Sequence, residues 1–180
     1  MVYVMLADGF EEIEAIEPID ILRRGGADVT TVSIKKEKIV VGAHNIPVTA
    51  DTTIYELKNI DDMELLMLPG GAGHELLDAS NEVHALINHA LGNDLYIAAI
   101  CASPSILGKK MILSGKNAVC FPGYEKYLYG ANIKSDKAVT DGKIITGKGA
   151  GAAAEFGFAV LTELKGAECA KKLRQVMQYI

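Results

Sequence analysis

Cys101 closes the apolar run Leu95-Tyr96-Ile97-Ala98-Ala99-Ile100 and is followed by Ala102-Ser103-Pro104-Ser105-Ile106-Leu107. A strand that runs into a cysteine, then small residues, then a helix with proline near its first turn has the layout of a nucleophile elbow. A thiol in that place faces the unpaired N–H groups and positive end of a helix, which favour the thiolate and lower its pKa. The alternative for the same residue is a small buried hydrophobe, the commonest fate of a free cysteine. Upstream, Pro69-Gly70-Gly71-Ala72-Gly73 lacks large side chains, so its backbone amides are free to approach a ligand and hold an oxyanion. A plain strand-to-helix turn would read the same way. Glu14 is the third candidate. At 100° per residue it lies within about 40° of both Pro18 and Ile21, on a stripe expected to face the core. A carboxyl there tends to stay protonated or to bond one specific partner, which makes it a general acid/base candidate. Its neighbours Glu11 and Glu12 are accounted for by the helix dipole.

These groups need a scaffold, and the chain punctuates itself as α/β: short β-branched runs, helical patterns and glycine clusters recur from end to end. Strands are expected at Val2–Leu6, Val29–Ser33, Glu64–Leu68, Leu95–Ile100, Ala118–Val119 and Ile144–Thr146. Helices are expected at Glu11–Arg24, His74–Leu91, Pro104–Met111, Ala152–Lys165 and Ala167–Gln178. Residues 35–55 alternate weakly around Gly42 and Pro47, which suggests a small antiparallel excursion at the sheet edge. Most strands are apolar on both faces, as parallel strands covered by helices should be. No repeat, low-complexity segment or linker interrupts the pattern, so a single three-layer domain over residues 1–180 is expected, with ligands at the carboxyl ends of the strands.

Composition removes several classes of function. The 180 residues carry 18 Lys plus Arg against 23 Asp plus Glu, a formal charge of −5, so no cationic excess is available to neutralise a nucleic-acid backbone. No apolar stretch reaches the roughly 20 residues of a membrane span. The start of the chain has no basic leader, so a cytoplasmic protein is expected. Three cysteines, at 101, 120 and 169, form no CxxC pair, which argues against a disulfide framework. Gly142-Lys143-Ile144-Ile145-Thr146-Gly147-Lys148-Gly149 imitates a phosphate loop but has Gly149 where Ser or Thr must reach magnesium. His74-Glu75-Leu76-Leu77-Asp78 starts like a zinc-protease helix and lacks the second histidine, and His84 and His89 are five apart rather than four. Neither a metal nor a cofactor is expected, and the histidines read as surface residues.

The pieces Leu6-Ala7-Asp8-Gly9-Phe10-Glu11-Glu12-Ile13-Glu14, Asp20-Ile21-Leu22-Arg23-Arg24-Gly25-Gly26, Leu68-Pro69-Gly70-Gly71, Ala98-Ala99-Ile100-Cys101-Ala102 and Thr146-Gly147-Lys148-Gly149-Ala150-Gly151 with Glu155-Phe156 resemble the ThiJ/PfpI superfamily in its DJ-one-like branch, a class I glutamine-amidotransferase-like domain. The resemblance runs nearly end to end. It implies a flavodoxin-like α/β sandwich, a homodimer, Cys101 as the elbow cysteine, Glu14 as the glutamate bonded to it, and the amides of Gly71 and Ala102, beside Gly70, as the lining of an anion pocket. Departures are equally specific. Ala102 stands where the peptidase-like branch has histidine, so a Cys–His protease lacks its base. Phe121, with Cys120 before it, stands where the DJ-one-like branch has a pocket histidine ahead of proline. Arg24 and His44 align with the pocket arginines of that branch, one of which the partner subunit contributes.

Activities associated with the family are glutathione-independent conversion of methylglyoxal to lactate, repair of early glycation adducts, peroxide sensing through cysteine oxidation, and chaperoning. The Cys101, Glu14 and Gly70–Gly71 constellation suits the first: thiolate addition to an aldehyde, an oxyanion on backbone amides, and proton transfer by Glu14. The partner is then a small aldehyde or a glycated substrate. The rival is a redox-responsive protein in which Cys101 is oxidised without turnover. The label of thiazole phosphate synthesis finds no motif in this chain.

Overall fold

The computed structural model describes residues 1–57 and 60–179. The apolar runs form the strands: β1 Val2–Leu6, β2 Val29–Ser33, β3 Ile39–Val41, β4 Pro47–Thr49, β5 Thr52–Thr53, β6 Leu65–Leu68, β7 Tyr96–Ile100, β8 Asn117–Ala118, β9 Asn132–Ile133, β10 Ala138–Asp141 and β11 Ile144–Gly147. The helices are α1 Glu12–Arg24, α2 His74–Ala79, α3 Asn81–Gly92, α4 Pro104–Lys109, α5 Ala153–Lys165 and α6 Ala167–Val176. Seven strands form the central sheet in the order β10-β11-β7-β6-β1-β2-β5, parallel except for the β10–β11 pair. It is the flavodoxin-like three-layer α/β sandwich with a mostly parallel central sheet that the sequence suggests.

Strand periodicity explains the two cores. Side chains alternate across a sheet, so Val2, Val4 and Leu6 of β1 join Ala15, Ile19 and Leu22 of α1 and Phe156, Val160 and Leu161 of α5 on one face. Tyr3, Met5 and Ala7 point the other way, to Val83, Leu86 and Ile87 of α3 and Ile106 and Leu107 of α4. Every residue of β1 and β6 is buried, which accounts for runs that are apolar without alternation.

Four features differ from the sequence expectation. The helix expected over His74–Leu91 is two helices, because Ser80 leaves the helical region and its hydroxyl caps α3 by accepting from the Val83 amide. The strand expected at Ala118–Val119 is Asn117–Ala118, and it pairs with β9 outside the main sheet. Within 35–55, the β3–β4 hairpin is a separate two-stranded ladder, and the sheet edge is β5, parallel to β2. β10 was not expected at all. Gly142 carries its signal: a two-residue Gly142-Lys143 turn with Gly142 first, at φ 62°, folds β10 back on β11, with Asp141 opposite Ile144. Among the described residues, no helix is long and apolar enough to cross a membrane.

Candidate active site

The chain leaves β1 toward β2 on one side and returns through β6 and β7 on the other, so strand order reverses between β1 and β6. At such a reversal the loops at the carboxyl ends diverge and leave a crevice. Here the loops after β1 and β6 meet across it: the Glu11 amide donates to the Gly70 carbonyl at 3.0 Å and the Gly73 amide to the Gly9 carbonyl at 2.9 Å. This contact sets the start of α1 directly over the end of β6. Glu11 caps α1 by accepting from the Glu14 amide at 2.8 Å, and one turn of helix then drops the Glu14 side chain into the crevice, where the residue is 1% exposed.

Cys101 arrives from β7, the neighbour of β6. It adopts φ 65°, a left-handed conformation that non-glycine residues rarely take and that marks a strained strand-to-helix turn. Its amide donates to the Gly147 carbonyl and its carbonyl accepts from the Phe121 amide, so β11 and the segment after β8 hold the strained residue from both sides. Cys101 shares a hydrogen bond with Glu14, and the amides of Gly71 and Ala102 point at its sulfur. Gly70 donates to Glu14 Oε2 at 3.1 Å, and the Ala150 amide also bonds that carboxyl. Gly70 has to be glycine, since a Cβ would sit 2.5 Å from the Cys101 Cβ and would also strike Glu14 Oε2.

The electrostatics differ from the low-pKa thiol expected of an elbow at a helix end. Burial pushes the Glu14 carboxyl up to about 7, with the Glu11 charge adding to it and the bonds from Cys101, Gly70 and Ala150 opposing it. Burial, then the charge of Glu14 and the hydrogen bond to it, push the Cys101 thiol up to about 12, against the pull of the Gly71 and Ala102 amides. Desolvation outweighs the helix end because a six-residue helix and two amides do not replace the water a thiolate loses. Glu14 and Cys101 are therefore a hydrogen-bonded pair in which both groups hold their protons more tightly than usual.

The structure brings Cys101, Glu14, Gly70, Gly71 and Ala102 together. Phe121 borders the same place: its half-exposed ring lies over Gly149, in a cleft of about 460 Å³ that Lys137 and Lys148 also line. Cys120 is buried, and desolvation pushes its thiol up to about 12, which keeps it protonated and unlike a resolving thiolate. Arg24 is not brought to Cys101 within the chain. It ion-pairs with Asp20 at 2.6 Å at the far end of α1. His44 is exposed and held by Glu12, whose carboxylate accepts from its amide and meets its Nδ1, both at 2.7 Å. Among the described residues, Glu11, Glu12 and His44 have donor atoms within 4.8 Å of one another, but Glu12 is committed to His44 and Glu11 to the cap of α1. His74, expected on the surface, is 6% exposed. The Ala150 amide was not among the expected site groups, although the small residues from Gly147 to Gly151 after a parallel strand are a signal for close backbone approach.

An α/β sandwich with a strained cysteine at the carboxyl end of a central strand and a buried glutamate beside it defines the class. The model of the DJ-1/PfpI family matches residues 1–163, and the chain belongs to this family. It is 36% identical over 170 residues to DJ-1 homolog B of Arabidopsis thaliana, covering 93% of this chain, and it spans only 39% and 46% of the lengths of two such Arabidopsis relatives. A protein of Pyrococcus abyssi named a deglycase is 27% identical over 149 residues, covering 82% of this chain and 89% of its own. Among solved structures, a DJ-1 superfamily protein of Salmonella typhimurium superposes with a TM-score of 0.93 at 32% identity, covering 99% of this chain and 98% of that one. Oxidised DJ-1 of Toxoplasma gondii does so with 0.93 at 32% identity, covering 98% and 97%.

The Glu14 shift fixes the sign of a pH effect. A carboxyl at about 7 in the folded protein and 4.5 ordinarily binds a proton that the unfolded chain releases, so its contribution falls as pH rises from about 4.5 to 7. Glu14→Gln removes that dependence. Urea unfolding at pH 5 and pH 8 should show the variant gaining on wild type by up to about 3 kcal/mol, at about 1.4 kcal/mol per unit. A difference that does not change with pH would contradict the burial of an ionisable Glu14.

Proposed function

We propose that the protein is a cysteine-dependent enzyme acting on small reactive aldehydes, as a glutathione-independent glyoxalase or a deglycase of early glycation adducts. The observation that carries this reading is the hydrogen-bonded Glu14–Cys101 pair beside the amides of Gly71 and Ala102. With methylglyoxal, Sγ bonds to the aldehyde carbon while the carbonyl π pair moves to oxygen, and the thiol proton passes to Glu14. The oxyanion lies against the amides of Gly71 and Ala102. Glu14 returns the proton to that oxygen, then removes the C–H proton of the hemithioacetal to leave an enediol and delivers it to the adjacent carbon, while the hydroxyl proton passes to the former ketone oxygen, so that a thioester stands beside a secondary alcohol. One carbon is oxidised as its neighbour is reduced, so no external oxidant or cofactor enters. Water then cleaves the resulting thioester to lactate and the free thiol. The name of the Pyrococcus relative is consistent with this class.

Lactate formation from methylglyoxal without glutathione tests the reading. Wild type should turn over, Cys101→Ala should be inactive, and Glu14→Gln should lose about 10²–10⁴-fold. A wild type no faster than Cys101→Ala would sink it. The redox alternative is favoured by one observation, that the Toxoplasma relative is an oxidised form. On that reading, peroxide followed by peptide mass spectrometry should oxidise Cys101 well before Cys120 and Cys169, and equal oxidation of all three would refute it.

A homodimer is part of the same proposal. Ile13 and Ile16 on α1 and Ile46 beside β4 are 51%, 40% and 54% exposed, and with Tyr179 and Met177 they line one apolar hollow. Water-facing isoleucines clustered this way fit a subunit contact. Ile16→Glu should shift the sedimentation coefficient from dimer to monomer, whereas an unshifted wild-type monomer would dismiss the dimer.

A further inference from the structure

The Gly70–Gly71 turn has no side chains of its own to hold it. Gly71 takes φ 80°, and consecutive glycines lose the most conformational entropy when fixed in one geometry. Yet three successive carbonyls of this turn have partners. Pro69 O accepts from Ser103 Oγ at 2.6 Å, Gly70 O from the Glu11 amide at 3.0 Å, and Gly71 O from the His74 amide at 3.1 Å and its Nδ1 at 2.9 Å. A carbonyl only accepts, so His74 Nδ1 carries its proton here.

Peptide planes turn these bonds into aim. The plane that contains Pro69 O also contains the Gly70 amide, which donates to Glu14. The plane that contains Gly70 O also contains the Gly71 amide, which points at the Cys101 sulfur. Ser103 therefore orients the donor to Glu14. His74 anchors the next plane and so fixes the far side of Gly71. Both side chains are themselves firmly held, since Ser103 is fully buried and the nearly buried His74 ring is braced edge-on against Tyr124 at 5.3 Å between centroids.

We propose that Ser103 and His74 are positioning residues, a pair of brackets that pre-set the Gly70 and Gly71 amides toward Glu14 and Cys101. The proposal rests on Cys101 being the reacting atom. Its test uses no aldehyde, so a failure of the glyoxalase reading leaves the result interpretable.

The rate of Cys101 alkylation by iodoacetamide, followed by peptide mass spectrometry between pH 6 and 10, reads how well the amides hold the Glu14–Cys101 pair. His74→Phe loosens the Gly71 donor to the sulfur and should move the profile to higher pH and slow alkylation at pH 8 by about 3- to 10-fold, the scale of one hydrogen bond to a charge, whereas Ser103→Ala loosens the Gly70 donor that favours ionised Glu14 and should move the profile to lower pH by a similar factor. His74→Asn keeps an N–H close to the place of Nδ1 and should stay within about twofold of wild type. Alkylation of Cys169, measured in the same digests, should not change, which separates aim from general loosening. The proposal is overturned if Ser103→Ala and His74→Phe both follow the wild-type profile, or if His74→Asn falls as far as His74→Phe. Should His74→Phe fail to fold, Ser103→Ala decides alone, since it removes a single oxygen, and a wild-type profile for it overturns the proposal.

Discussion

Glu14 is a carboxyl that water scarcely reaches, set against the Cys101 thiol, and the backbone amides of Gly70 and Ala150 are what make its ionised form tolerable there. Much of the surrounding structure serves this one burial. The loops after β1 and β6 must touch for Gly70 to reach it, β7 must lie beside β6 for the thiol to face it, and the loop after β11 must close over it with Ala150. Displacing any of the three would take one partner away from a buried carboxyl whose ionised form depends on them.

The pair also sets Cys101 apart from the other buried thiol. Cys101 and Cys120 are both buried and both pushed up to about 12, but only Cys101 has a carboxyl with an affinity for protons near neutrality beside it and two amides directed at its sulfur. The left-handed conformation of Cys101 belongs to the same arrangement: an extended residue would carry the thiol along the strand, whereas the sharp turn lifts it toward Glu14 and the amides.

Topology makes the site possible because the reversal of strand order lies between β1 and β6. Helix α1 packs on one face of the sheet and α2 on the other, and the contact between their leading loops spans the gap. Beside it, Phe121 and Lys148 line a cleft with an apolar and a charged edge that shares Ala150 with the surroundings of Glu14.

Much of this was legible in the chain. Fully apolar strands bounded by glycine, a cysteine between a strand and a proline-started helix, and a glutamate on the inner stripe of α1 are local patterns, and they specified the sandwich and named Cys101, Glu14, Gly70 and Gly71. Even the Gly142-Lys143 turn of β10–β11 and the capping role of Ser80 had local signals that helix and loop patterns overrode. What no local pattern contained was contact across long stretches of chain. Ser103 meets Pro69 across 34 residues and Glu14 meets Gly70 across 56, while Arg24 and His44 are drawn instead to Asp20 and Glu12. The sign of the thiol's pKa shift belongs to the same category. A helix end can be read from neighbouring residues, but desolvation is the summed exclusion of water by every element packed around the sulfur, and only the tertiary structure determines that.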